Sequence, residues 1–220
     1  MALLEMQDVT FTIDRTTPVR NISLQIEEGT TTAFVGTPGS GKSTALKLLA
    51  GLFPPTHGKV LFNGKDLLNF TQKENVDFRK KAAFMFQDSA LWSNQDIYHN
   101  LELPLQLHYP KMPKDEQKQK IADILKLVDY EKPLSNRPAD LSLGERKKIG
   151  FARALLCDPD ILFLDEPTES LDNGTVARFV TILEKFCMRR RTLVFVSHDA
   201  DFLKMFRGRR YIFKNGELRK

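Results

Sequence analysis

TTAFVGTPGSGKSTALKLLA, residues 31 to 50, runs from a short apolar segment through a glycine-rich loop into a helical pattern. Thr31 to Val35 carries no charge and ends at Gly36, as a buried strand would. Ser43 to Ala50 reads as a helix stopped by Gly51, with Pro54-Pro55 beyond it. Between the two, Gly36-Thr37-Pro38-Gly39-Ser40-Gly41-Lys42-Ser43-Thr44 fits G-x-x-x-x-G-K-[ST], in the strand–loop–helix setting that gives the pattern its meaning. Glycines let backbone N–H groups curl around phosphate oxygens. The following helix points its N-terminus at the same anion. Lys42 reaches the β- and γ-phosphates, and the Ser43 hydroxyl is suited to Mg²⁺.

On the N-terminal side, LLEMQDVTFTI alternates and VRNISLQIEEG follows Thr17-Pro18, so residues 3–35 read as strands. On the C-terminal side, Lys59 to Phe62 with the turn Asn63-Gly64, and then Ala82 to Phe86, read as strands. From Asp88 to Asp140 the chain is polar, rich in Gln and Lys, and has no strand-like run. Ile121, Ile124, Leu125 and Val128 there share one helical face, and we expect a helical insertion over residues 88–156. Strand character returns at Ile161 to Leu164 and Thr192 to Val196, separated by a helix whose face is Val176, Phe179, Val180 and Leu183. Strands alternating with helices predict an α/β fold with a mainly parallel core sheet. We read one domain over 1–220, with its core in 1–87 and 157–220.

Ile161-Leu162-Phe163-Leu164-Asp165-Glu166 is an apolar strand ending in two acids, which should lie at its carboxyl edge, where ligands of open α/β sheets bind. Asp165 suits a metal-holding role, directly or through water. Glu166 is then placed to orient and deprotonate an attacking water.

The chain has 220 residues, 41% hydrophobic and 28% charged, proportions that exclude general disorder. Lys and Arg number 33 against 28 Asp and Glu, a net charge of +5 that selects no partner class by itself. Cys157 and Cys187 match no disulfide or metal pattern and fit a reduced, cytoplasmic chain. No apolar stretch approaches the roughly 18 residues of a membrane span. The start, MALLEMQDVT, does not resemble a secretory signal. Arg189-Arg190-Arg191 closes a helix, and Arg207, Arg209 and Arg210 read as a solvated edge; no nucleic-acid partner is expected.

At Leu141-Ser142-Leu143-Gly144-Glu145 the chain resembles the nucleotide-binding subunits of ABC transporters. The likeness covers nearly the whole chain, with the motifs in the family's order. Gln87 looks like the Q-loop, Leu141 to Glu145 like the LSGGQ signature, Ser170-Leu171-Asp172 like the D-loop and Ser197-His198-Asp199 like the H-loop. The resemblance implies a P-loop ABC ATPase with an antiparallel β subdomain and an inserted helical subdomain. It implies ATP and Mg²⁺, with the metal held by Ser43, Asp165 and Gln87. It implies catalysis by Glu166 with His198 on the γ-phosphate and Gln87 on metal or water. It further implies a head-to-tail homodimer in the ATP state, each signature completing the other chain's site and Asp172 joining the two.

An integral-membrane permease would dock near Gln87 to Leu105, against Leu91, Trp92, Ile97, Tyr98, Leu101, Leu103 and Leu105. The chain would then sit peripherally on the cytoplasmic face of the inner or plasma membrane. Two positions depart from the family. The aromatic residue that stacks on adenine is here Ile13, with Phe11 two residues away and expected on the same face. The first signature glycine is Leu143, expected to be helical. Gln87-Asp88-Ser89-Ala90-Leu91 and Asn100 to Leu105 look like the lipid-trafficking (Mla or MCE) subfamily, beside lipoprotein-release and cell-division types of similar size. Two functions stand side by side: a motor that powers transport, with lipid as one cargo, and an ATP-dependent regulatory module of a membrane complex.

Overall fold

In the computed structural model, described here for residues 2–219, the chain folds into two sheets and seven α-helices. An antiparallel sheet of order β2-β1-β4-β5 uses β1 (Ala2–Ile13), β2 (Thr16–Glu27), β4 (His57–Phe62) and β5 (Lys65–Asp66). A second sheet, of order β10-β9-β3-β8-β7-β6, uses β3 (Thr31–Gly36), β6 (Ala82–Met85), β7 (Ile161–Asp165), β8 (Thr192–Val196), β9 (Arg209–Lys214) and β10 (Glu217–Arg219). Its strands run parallel except for β10, which returns antiparallel to β9.

The core strands of the second sheet are buried on both faces, which is why they read as unbroken apolar runs rather than as alternation. Leu162, Leu164, Leu193 and Phe195 face one apolar cluster, together with α3 (Ile97–His108), α4 (Lys114–Val128), α5 (Leu143–Leu155) and α6 (Asn173–Met188). Phe163, Val194 and Val196 face a second cluster, built from the antiparallel sheet and α1 (Lys42–Leu49). The period-2 side-chain alternation of each strand therefore stitches the two halves of the molecule through one sheet. Where the sequence predicts a helical insertion, α3, α4 and α5 form. Ile121, Leu125 and Val128 are buried on the expected face of α4.

The elements outside the sequence reading include α2 (Gln72–Lys81), α7 (Ala200–Met205), β9 and β10. The residues read as a solvated arginine edge, Arg209 and Arg210, belong to β9, hydrogen-bonded beside β3. They remain exposed, because β9 carries its buried weight on Phe213.

Candidate active site

β3, β6, β7 and β8 run parallel, and each delivers a motif just past its carboxyl end: the glycine-rich loop, Gln87, Asp165-Glu166 and Ser197-His198. The sheet thus gathers residues from across the chain on one edge, where open α/β sheets bind ligands.

The glycine-rich loop arches from β3 into α1. Gly41 at the N-cap has φ 96, a left-handed conformation, and a Cβ there would strike the carbonyl of Pro18. Only glycine fits both demands. The loop is braced from below, because Gly216 N–H in the β9–β10 turn donates to the Ser40 carbonyl at 3.1 Å. Lys42 folds back over the loop, its Nζ donating to the carbonyls of Gly36 (2.9 Å) and Thr37 (2.8 Å). Burial holds its ammonium below the usual lysine range, against the pull of Glu166 and Asp165. A buried cation so placed gains from an arriving polyphosphate.

Ser43 Oγ donates to Asp165 Oδ1 at 2.6 Å, joining the start of α1 to the end of β7. Burial pushes the Asp165 carboxyl up, and the Ser43 hydrogen bond opposes it. Among the described residues no group of three or more His, Cys, Asp or Glu gathers that could hold a metal unaided. A hydroxyl and a carboxylate are hard oxygen donors of the kind Mg²⁺ takes when phosphate oxygens and waters complete its shell, so the donor set fits that ion.

Glu166 follows at φ 47. Its N–H donates to the Val196 carbonyl at 3.0 Å. Its Oε2 lies 2.9 Å from His198 Nδ1 and accepts from His198 N–H at 3.2 Å. The hydrogen bond to Glu166 raises the His198 pKa above its ordinary value, since the carboxylate favours the charged ring. The second oxygen, Oε1, has no hydrogen bond among the described residues.

Gln87 donates from Nε2 to Glu169 Oε2 at 3.0 Å, and among the described residues it has no hydrogen bond to Ser43 or Asp165. The same Glu169 oxygen lies 3.9 Å from Lys147 Nζ, and Lys147 also donates to the Glu166 carbonyl. Sequence reasoning passed over Lys147 and Glu169. Neither has a motif, and only the fold buries a lysine of α5 beneath the carboxylate loop.

The signature opens α5. Ser142 caps the helix, its Oγ accepting from Glu145 N–H, while Glu145 Oε2 accepts from Ser142 N–H. Leu143, 63% exposed, is the first helical residue and is free of positive φ, so leucine is unstrained there, as expected. Leu141 is buried beneath it. Gly144 neighbours Leu171 and Ser170 of its own chain rather than the glycine-rich loop. Asp172 caps α6, accepting from Thr175 N–H and Oγ1.

Two expectations change. Phe11 and Ile13 do not share a free face. Phe11 is not free, because it stacks on Phe53 with centroids 5.4 Å apart and packs against the second core cluster. Ile13 is 52% exposed. In the proposed docking segment, Ile97, Leu101 and Leu105 are buried in the core, because α3 presents that face to α4 and α5. What stays open is a groove of about 460 Å³ whose lining includes Phe84, Trp92, Leu103, Pro104, Leu107 and His108. Trp92 is 52% exposed.

A phosphate-binding loop, a metal-suited Ser–Asp pair and a neighbouring carboxylate–histidine pair define a P-loop ATPase. The family model described as ABC transporter matches residues 19–169, and the chain belongs to that family. It is an ATP-binding, ATP-hydrolysing cassette of the transporter type. It is 37% identical over 183 residues to the ABC transporter ATP-binding protein YtrE of Bacillus subtilis, covering 82% of this chain and 78% of that one. It is 33% identical over 223 residues to the methionine import ATP-binding protein MetN 2 of Enterococcus faecalis, covering 99% of this chain and 64% of that longer protein. Among solved structures, the dimeric MJ0796 cassette in a post-hydrolysis state with ADP and Pi superposes with a TM-score of 0.90 at 30% identity, covering 99% of this chain and 97% of that one.

Proposed function

We propose that the chain is the motor of a membrane transport complex, turning over Mg²⁺-ATP at a site it completes by pairing with a second copy. The Ser43–Asp165 contact, with Glu166 and His198 beside it at the ends of three parallel strands, carries this reading. Gly36 to Thr44 would cradle the phosphates, and Lys42 would exchange its loop carbonyls for the β- and γ-oxygens. Ser43 and Asp165 would hold Mg²⁺, which supplies charge neutralisation at the phosphates when bound. Gln87 would join them on leaving Glu169. Glu166 would take the proton of the attacking water on its free Oε1, and His198 would turn from Glu166 to the γ-phosphate. The partner copy's signature, Leu141 to Glu145, would offer the N-terminus of α5, and Asp172 would join the two sites.

The dimeric MJ0796 cassettes support the pairing. The transporter names of the relatives support a permease partner and hence a peripheral place at the membrane. We assign the core to 1–87 and 157–220 and the helical unit to 88–156. For the permease, the groove at Trp92, Leu103 and Leu107 is the open apolar surface beside Gln87. Among the described residues no helix is long and apolar enough to cross a membrane. A lipid cargo draws no support from these relatives, one of which is named for methionine import and another only as an ABC transporter protein.

The test is Glu166→Gln. ATP binding should persist while hydrolysis falls by about 10²-fold or more, the contribution of a general base. ATP should then shift the variant from monomer to dimer in light scattering. Normal turnover would remove Glu166 from the mechanism, and an ATP-loaded monomer inside an assembled complex would refute the pairing.

A further inference from the structure

Lys147 is a lysine with almost no exposed surface, only 5%. It lies in the second turn of α5, the helix that begins with the signature, and its ammonium points under the loop that follows β7. Its shortest contact is the backbone carbonyl of Glu166, at 2.5 Å. Its second is Glu169 Oε2, at 3.9 Å, the oxygen that also receives Gln87. Burying a charge here is costly unless it is paired and hydrogen-bonded, so the fold keeps it where two groups need it.

What it touches is a residue held in an unfavoured conformation. Glu166 sits at φ 47, where a non-glycine residue stays only if its surroundings over-determine it. Its N–H is tied to Val196 of β8 and its Oε2 to His198. The carbonyl side of the residue is tied by Lys147. Without that donor, the peptide between Glu166 and Pro167 would hold a buried carbonyl with no partner, and the segment could relax by rotating it. The carboxylate would swing with it.

We propose that Lys147 is a positioning residue for ATP hydrolysis: from the signature helix it clamps the Glu166 carbonyl and so aims the Glu166 carboxylate. This rests on the reading of Glu166 as the group that activates water. Among the described residues neither the hydrogen bond nor the ion pair of Lys147 involves the glycine-rich loop, so it acts on the chemical step and not on nucleotide capture. Glu169, shared between Lys147 and Gln87, gives the same clamp a hold on the Gln87 loop.

The test compares Lys147→Met, which keeps length and loses the donor, with Lys147→Arg, which keeps donor and charge, in the purified full chain. Steady-state hydrolysis, binding of a fluorescent ATP analogue and thermal melting are measured together. Lys147→Met should lower kcat by about 10-fold or more, within the range that misplacement of a reacting group costs, with KM changed less than about twofold. Lys147→Arg should recover at least half of the lost rate. Because Lys147 acts through Glu166, adding Lys147→Met to Glu166→Gln should cause no further loss.

An unchanged kcat in Lys147→Met, or losses that multiply in the double variant, would overturn the proposal. So would a KM that rises with a falling melting temperature and is not rescued by arginine. If Lys147→Met does not fold, Lys147→Gln, smaller and polar, takes its place under the same criteria. Full turnover by Glu166→Gln would instead remove the reading on which the proposal stands, whereas a slow Glu166→Gln beside a normal Lys147→Met would sink the clamp alone.

Discussion

Ile13 stands at the end of β1 with half its surface in solvent, while the ring that could have served beside it, Phe11, is stacked on Phe53. If the family's adenine position falls on Ile13, the base would meet an aliphatic side chain and gain apolar contact without ring stacking. Ile13→Tyr should then tighten ATP binding by about 0.5–1.5 kcal/mol, the worth of an aromatic pair beyond its buried area. Titration with ATP and, in parallel, with a triphosphate lacking a base separates the outcomes. Equal affinity of wild type and variant for ATP would place the base elsewhere. At Glu166 the same scale shows backbone strain: φ 47 costs on the order of 1–3 kcal/mol and is tolerated where neighbours hold it.

Among the elements, α2 shows a helix end secured by chemistry that is independent of the site. Thr71 caps it, and Glu74 reaches back to accept from Thr71 N–H and Oγ1, both at 2.8 Å, and from Lys65 Nζ at 2.6 Å. Together these hold the Glu74 pKa down from 4.5 to about 2, the Lys65 hydrogen bond contributing most. A folded-state pKa below the unfolded one stabilises the helix end in full above pH 4.5, and the stabilisation is lost as pH falls through about 2. The melting-temperature gap between wild type and Glu74→Gln should therefore be open at pH 7 and close between pH 4.5 and about 2. A gap independent of pH would assign the effect to packing. Ser142 and Glu145 repeat this capping box on α5, where it also shapes the signature.

The whole molecule gives two residues of one short stretch of sequence different fates. Leu101 and Trp92 fall in the same stretch of sequence, yet Leu101 is fully buried between α3, α4 and α5, and Trp92 borders the open groove. Leu101→Ala should cost about 2–5 kcal/mol as a core cavity. Trp92→Ala should cost no more than about 0.5 kcal/mol, as a surface change does. Thermal melts of the two variants check this. Membrane association and permease-stimulated turnover should fail for Trp92→Ala, with basal hydrolysis kept; a melting temperature depressed as far as that of Leu101→Ala would make Trp92 a packing residue.

What the chain's order of residues settled alone was what rests on local spacing. The glycine-rich loop, the acids after an apolar strand and the periodic faces of α4 and α6 need only neighbours a few positions apart, so the P-loop class and most of the site were legible. The same locality hid α2, whose polar face carries little hydrophobic period, and β9, whose partner β3 lies far back along the chain, with the three-residue edge strand β10 that pairs only with β9. Tertiary structure alone decided which apolar residues of α3 are core, that Phe11 turns to Phe53, and that Lys147 meets the Glu166 carbonyl. Each of these depends on contacts between segments remote in sequence, and a side chain's neighbours there are chosen by how helices and sheets pack, which no spacing in the chain records.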